Sequence, residues 1–317
     1  QMAALLALVL AGSAGASAPG MRSDMRIGFI GVGTLSEAIV RGVCSLDAGS
    51  RPAAITLSPR GAKRSQALAA DLAHAGVSVA ASNQDVVSAS DVVFLCVLPQ
   101  QAEEVLSSLD FDDRRHVLVS CVSTSRAESL TAWARLPSTR VMRAMPLPAV
   151  SERRGATALW PGHHAQGVVA LFDALGEAVQ CDSEQELLAL TATTSLMGQL
   201  YDQLAAAQGW LEATGVQPNR ARRYLTALYA GALANAAADG DAAAAAPGAP
   251  GSGADVGLAV FEQLVAEQTP GGINEQVICR MRDAGASQAL HDGLDTVHAR
   301  LTGASRPPSS SAARSRN

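Results

Sequence analysis

The chain has 317 residues, a length that suits about two domains. Apolar residues make up 48% and aromatic residues only 3%, which favours an α/β or helical interior packed with Ala, Leu and Val. The net charge of −5, with no Lys/Arg run on an expected helix, argues against nucleic acid and anionic membrane as partners.

In chain order, residues 1–24 form a leader. The stretch AALLALVLAGSAGASA resembles a secretory h-region but lacks a positive flank, and it is short for a membrane span. It is read either as a targeting segment or as an unstructured arm. The expected compartment is the cytoplasm, with an organelle as the alternative. From Met25 strands and helices alternate: RIGFI, a helix to Val43, AAITL, a helix ending at Gly76, VSVA, a short helix over 83–90, and DVVFLCV. HVLVSCV, RVMRAM, GATALW and GEAVQC follow as further strands. Alternation of this kind, with continuous apolar strands, predicts a Rossmann-type doubly wound parallel sheet over residues 25–181.

Beyond Cys181 the strand signal stops, and residues 182–304 are expected to form an all-α domain. Leu187, Leu190, Thr194, Met197, Tyr201, Leu204 and Leu211 recur at helical steps, predicting one long helix closed by Gly215. A second helix opens at Pro218. Residues 236–257 are Ala/Gly-rich and are read as a flexible insert, with helices resuming at Leu258 and continuing to Leu301. Residues 305–317 are read as a disordered tail. The apolar stripe exceeds what one short domain needs, which predicts at least a dimer. Tyr201 and Trp210 are expected to pack between helices.

The first strand runs into Gly31-Val32-Gly33-Thr34-Leu35-Ser36 and then a helix, the context a dinucleotide fingerprint requires. Gly31 permits the turn, Gly33 leaves room for a pyrophosphate, and the helix start at Thr34 and Leu35 offers free N–H groups. Ser36 stands where Gly or Ala is usual. The competing reading is a purely structural strand–helix turn. The second strand ends in LSPR rather than an acid. Ser58 and Arg60, with Lys63 or Arg64 nearby, therefore predict NADP rather than NAD, unless Arg60 is only a solvated loop charge.

Near the C-terminus, TPGGINEQ places a capping Thr269, Pro270 and two glycines before a helix. The backbone of Thr269, Gly271, Gly272 and Ile273 could hold a substrate carboxylate, and Gly272 would leave space for it. Asn274 is the candidate catalytic residue, as a group that orients substrate. The alternative is an ordinary capped helix start, with Glu275 favoured by the helix dipole. The five cysteines, Cys44, Cys96, Cys121, Cys181 and Cys279, form no C-x-x-C pair, so neither a zinc site nor a disulfide framework is expected. Cys96 and Cys121 are read as packed thiols, and His163-His164 as solvated. No metal is expected.

These segments, together with SDVVFLCVLPQQ, RVMRAMPLPAV, GATALWP and LFDALGEAV, resemble the pyrroline-5-carboxylate reductase family over about residues 25–301. The resemblance implies an N-terminal Rossmann domain, a helical dimerisation domain, and reduction of a cyclic imine acid to L-proline with NAD(P)H. It also implies that Val97, Pro99 and Met145 line the cofactor. The chain departs from the family at Leu98 (a Lys there), at Leu147 (an Asn), at Thr193–Tyr201 (a Ser/Gly-rich stretch) and at Asn274 (a Thr). The substrate class is thus pyrroline-5-carboxylate or a related cyclic imine. The alternatives are another imine or keto acid, or a non-catalytic dinucleotide-binding protein.

Overall fold

The computed structural model describes residues 24–245 and 254–304. The chain forms two compact units. The first holds the described residues up to Ala192 together with those from His298 onward, and the second spans Thr193–Val297.

The first unit is built on an eight-stranded sheet: β1 (Arg26–Ile30), β2 (Ala54–Leu57), β3 (Val77–Val79), β4 (Val92–Leu95), β5 (Val117–Ser120), β6 (Val141–Met145), β7 (Ala156–Trp160) and β8 (Glu177–Gln180). Their spatial order is β3-β2-β1-β4-β5-β6-β7-β8. The first six make the doubly wound order in which both halves diverge from β1 and β4. The helices interleaved with them are α1 (Thr34–Cys44), α2 (Ala62–Asp71), α3 (Asn83–Ala89), α4 (Ala102–Ser107), α5 (Ala127–Ala134) and α6 (Gln166–Ala174).

The fold class read from the sequence holds with one correction: β7 runs antiparallel to β6, with Ala144 opposite Leu159. Only residues 146–155 join these two strands, too few for the helical crossover that a parallel return requires. The last pair, β7 and β8, has α6 between them and is parallel.

The strand runs are continuously apolar because helices cover both faces of the sheet. Phe29, Phe94 and Val119 point into one core cluster, while Ile30, Leu95 and Leu118 point into the other. Phe29 stacks on Phe94 at 4.9 Å, and Phe94 meets the edge of Phe172 at 6.0 Å. Burying each such side chain stabilises the fold by roughly 1.5–3 kcal/mol. At the N-terminal edge Asp91 fixes β4 to β1. It accepts from the Arg26 backbone N–H at 3.0 Å, from Arg26 Nη2 at 2.8 Å and from Arg115 Nε at 3.0 Å.

The next helix, α7 (Glu184–Thr193), still belongs to the sheet unit, so the division falls later than the expected boundary after residue 181. Glu184 explains this. Its carboxylate takes the Arg143 guanidinium at 2.8 Å, the Ala127 N–H at 2.7 Å and Arg126 Nε at 3.1 Å. Leu187 and Leu188 are fully buried behind it.

The second unit contains α8 (Leu196–Ala213), α9 (Pro218–Ala245), α10 (Ala254–Ala266), α11 (Ile273–Asp283) and most of α12 (Ala286–Thr302). The long helix expected from Leu187 to Gly215 is two helices, interrupted at Thr194-Ser195. Residues 191–195 are rich in hydroxyl side chains, which compete for helix carbonyls; Thr191 Oγ1 donates to the Leu187 carbonyl at 2.6 Å. The expected stop at Gly215 is present, with φ +93. The expected flexible insert is helical at both ends: residues 236–245 complete α9 and residues 254–257 begin α10. Alanine's high helix propensity outweighs the low bulk of the segment there. Residues 246–253 lie outside the described residues, as do leader residues 1–23 and the expected tail 305–317. Among the described residues no helix is long and apolar enough to cross a membrane.

Candidate active site

The turn after β1 separates the roles of its two glycines. Gly31 has φ +89, and a Cβ there would lie 2.7 Å from the Cys96 carbonyl oxygen. The fold itself therefore requires glycine at this position. Gly33 has φ −102, and a Cβ on it would meet nothing within 4 Å. Nothing among the described residues demands glycine at 33, and the open space beside it is where a bound group can approach the backbone.

Ser36, fully buried, holds this turn. Its hydroxyl donates to the Gly31 carbonyl at 2.7 Å and accepts from the Gly33 N–H at 3.0 Å. A serine in place of the usual third small residue is thus a staple across the loop. The N–H groups of Thr34 and Leu35, in the first turn of α1, have no intrahelical acceptor and form the positive end of the helix dipole.

A cleft of about 340 Å³ opens over this turn. Of the residues expected to hold cofactor, Gly31, Gly33, Ser58, Arg60 and Val97 line it. Thr34, Leu35, Pro99 and Met145 do not. Thr34 and Leu35 contribute as the helix start behind Gly33, and Pro99 opens a short 3-10 turn. Met145 is buried in a small cluster with Cys181 and Leu187, which commits its side chain to packing.

The cleft also takes in Gly61, Asn83, Cys96, Leu98 and Gln101, which sequence reasoning did not assign to it. Ser58 is fully buried; its hydroxyl donates to Asn83 Oδ1 at 2.7 Å and accepts from the Arg60 N–H at 3.2 Å. Ser58 therefore shapes the loop, and Arg60, exposed, is the cation offered to the cleft. Arg64 lies 3.7 Å from Glu37 instead, and neither it nor Lys63 lines the cleft.

Another residue missed from sequence is Arg143, a charge in the middle of a strand. It is fully buried, bonded to Glu184 and, through Nη2 at 2.7 Å, to the Ser123 carbonyl. Burial lowers its pKa, and the Glu184 carboxylate opposes that shift. The signal was the RVMRAM run itself, where an interior Arg demands an acid.

In the second unit, the Thr269–Asn274 turn caps α11, but its internal bonding corrects the expectation. The Gly271 N–H donates to Glu275 Oε2 at 2.5 Å, and the Gly272 N–H donates to the Thr269 carbonyl at 2.8 Å. A Cβ on Gly272 would meet the Thr269 carbonyl oxygen at 2.7 Å, so Gly272 leaves room for the turn's own backbone rather than for a carboxylate. The N–H groups of Ile273, Asn274 and Glu275, the first three residues of α11, precede its first helix bond, from the Gln276 N–H to the Gly272 carbonyl at 3.1 Å. Asn274 Nδ2 donates to Gln268 Oε1 at 2.6 Å, and Ile273 is 81% exposed.

The fold and cleft define a nucleotide-dependent oxidoreductase with a Rossmann unit followed by a helical unit. Residues 26–124 match the family model of "NADP oxidoreductase coenzyme F420-dependent". The chain is 32% identical to pyrroline-5-carboxylate reductase 2 of Rattus norvegicus over 217 residues, 67% of each chain. It is 32% identical to pyrroline-5-carboxylate reductase of Methanosarcina acetivorans over 164 residues, 50% of this chain and 58% of that one. The chain belongs to the pyrroline-5-carboxylate reductase family. In fold it is similar to the Streptococcus pyogenes enzyme of that name, with TM-score 0.69 and 21% identity over 89% of this chain and 100% of that chain. It is likewise similar to the Plasmodium falciparum enzyme solved with NADP bound, with TM-score 0.67 and 13% identity over 90% and 99% of the chains.

Proposed function

We infer that this chain carries out NADPH-dependent reduction of pyrroline-5-carboxylate to L-proline. Family membership supports the reaction, and the Gly31–Gly33 turn supports the cofactor. Gly33 opens onto a cleft that no side chain of the described residues fills, at the start of a helix and beside Arg60. When bound, NADPH supplies the hydride that reduces the imine carbon. The chain's own part is to bind and orient. Gly33, Thr34 and Leu35 would receive the pyrophosphate, Arg60 the 2′-phosphate, and the Ile273 and Asn274 N–H groups the substrate carboxylate.

A homodimer goes with this reading. Within the helical unit α8 and α11 bury no residue, while Tyr201, Trp210, Tyr224, Phe261 and Val277 are each more than half exposed. Tyr201 and Trp210 thus do not pack between helices of their own chain. Apolar surface of this extent is covered by a partner, and a second copy supplies matching helices. A reducing compartment such as the cytoplasm suits the five free thiols.

The test is NADPH oxidation by purified protein with pyrroline-5-carboxylate, with a small panel of other cyclic imines and keto acids alongside. Turnover of the first supports the reading. NADPH binding without turnover on any of them overturns it in favour of a non-catalytic binder.

A further inference from the structure

Cys96 and Cys121 occupy neighbouring strands at the end of the sheet where the cleft opens. The last register pair of β4 and β5 is Leu95 with Ser120, and the ladder continues with the Cys121 N–H donating to the Leu95 carbonyl at 2.9 Å. The two cysteines therefore stand side by side. Neighbouring strands lie about 4.8 Å apart, inside the roughly 4.4–6.8 Å Cα separation that a disulfide spans. Both follow the alternation of Phe94 and Val119 and pack against the same core cluster, so they lie on one face of the sheet.

The pair is also joined to the phosphate turn. Cys96 lines the cleft, and its carbonyl is the group that excludes a Cβ from Gly31. A movement of the Cys96 backbone is therefore a movement of the floor beneath that turn.

We propose that Cys96 and Cys121 close to an intrachain disulfide when the protein meets a peroxide, and that closure weakens dinucleotide binding in the cleft. The second half rests on the cofactor reading above. The neighbouring Cys96 and burial push the Cys121 thiol well above its ordinary pKa. Cys96 lines the cleft and Cys121 does not, so the first attack is assigned to the Cys96 sulfur. That sulfur attacks the O–O bond, giving a sulfenic acid and releasing water or an alcohol. The Cys121 sulfur then attacks the Cys96 sulfur, the S–OH bond breaks, and the hydroxyl leaves as water with the Cys121 proton. The two sulfurs together lose two electrons and the peroxide gains them.

The experiment uses the full chain carrying Cys279→Ser, which removes the exposed thiol of the helical unit. The protein is treated with hydrogen peroxide, its free thiols are counted after unfolding, and peptides are mapped without reduction. The Kd for NADPH is measured by fluorescence before treatment, after it, and after dithiothreitol. The expected result is a fall of two free thiols, a Cys96–Cys121 cross-linked peptide, and a Kd at least tenfold higher that dithiothreitol restores. Cys96→Ser and Cys121→Ser should each abolish the cross-link. Unchanged thiol counts, or a cross-link that leaves Kd unaltered, overturn the proposal. Failure of the reduced protein to bind NADPH at all overturns the cofactor reading and the second half with it, while the peptide map still judges the disulfide.

Discussion

The Arg143 guanidinium and the Glu184 carboxylate meet at 2.8 Å with the arginine side chain fully buried and the glutamate nearly so. The pair fastens α7 to β6, and through the Ala127 N–H it fastens the start of α5 as well. Removing the acid leaves a buried cation whose Nε already has no hydrogen-bond partner. Glu184→Ala should destabilise the fold by about 3–5 kcal/mol, more than an exposed ion pair is worth. Denaturant unfolding checks this; a loss under about 1 kcal/mol, the range of a surface pair, contradicts it.

The two glycines of the phosphate turn should separate in the laboratory as they do in the structure. Gly31→Ala strains a positive φ and meets the Cys96 carbonyl, so it should lower stability by about 1–3 kcal/mol. Gly33→Ala meets open space and should leave the melting temperature close to wild type while weakening NADPH roughly tenfold or more. Thermal melts and a cofactor titration on both variants decide it. Equal destabilisation by the two would show that Gly33 also serves the fold.

Arg60 lines the cleft, whereas Arg64 is turned toward Glu37. Arg60→Ala should therefore cost about 1.5–3 kcal/mol of NADPH binding and little of NADH binding, because only the former carries the 2′-phosphate. Arg64→Ala should leave the ratio of the two affinities unchanged. Parallel Kd measurements with both cofactors test the assignment, and an equal loss for both cofactors in Arg60→Ala counts against it.

Asp91 sets an acid limit on stability. Burial alone would raise its pKa, but the hydrogen bonds from Arg26 and Arg115 outweigh burial and bring it down to about 2 from 3.8. A carboxylate with a depressed folded pKa stabilises the protein above its unfolded value, and that contribution is lost as pH falls from 3.8 toward about 2. Partial solvent exposure limits the contribution to about 1 kcal/mol. Asp91→Asn should flatten the fall in stability across that window, as read from urea unfolding at stepped pH.

How much of this was legible in the sequence depended on whether a residue's role was local. The strand positions, the Gly31 turn and the helix start at Pro218 follow from periodicity and backbone preference, and the structure places them within a few residues of expectation. The antiparallel β7 follows from loop length, visible in the sequence but not weighed. Glu184 and Asn83 were not readable, because each acts through partners far along the chain: Glu184 through Ala127 and Arg143, Asn83 through Ser58. Gly272 was misread because its steric reason is internal. The nearest atom to an added Cβ is a backbone oxygen of the same turn.

That correction moves the proposed carboxylate site by one residue and changes the variant that probes it. Gly271 and Gly272 spend their N–H groups on Glu275 and Thr269, so the first N–H groups not so committed are those of Ile273 and Asn274. Ile273 is the first helical residue, where proline is favoured because its missing N–H breaks no helix bond. Gly272 before it is extended, at φ −74 and ψ 168, a conformation a following proline accepts. Ile273→Pro should therefore keep the helix and the melting temperature while removing one donor, raising KM for the imine acid roughly tenfold, in line with about 1.4 kcal/mol for a charge-assisted hydrogen bond. Ile273→Ala shortens a side chain that is 81% exposed and should leave both KM and stability near wild type. If both variants share the wild-type KM, the carboxylate is held elsewhere and the Pro-Gly-Gly turn is only a helix cap. If both raise KM equally, the side chain rather than the N–H makes the contact.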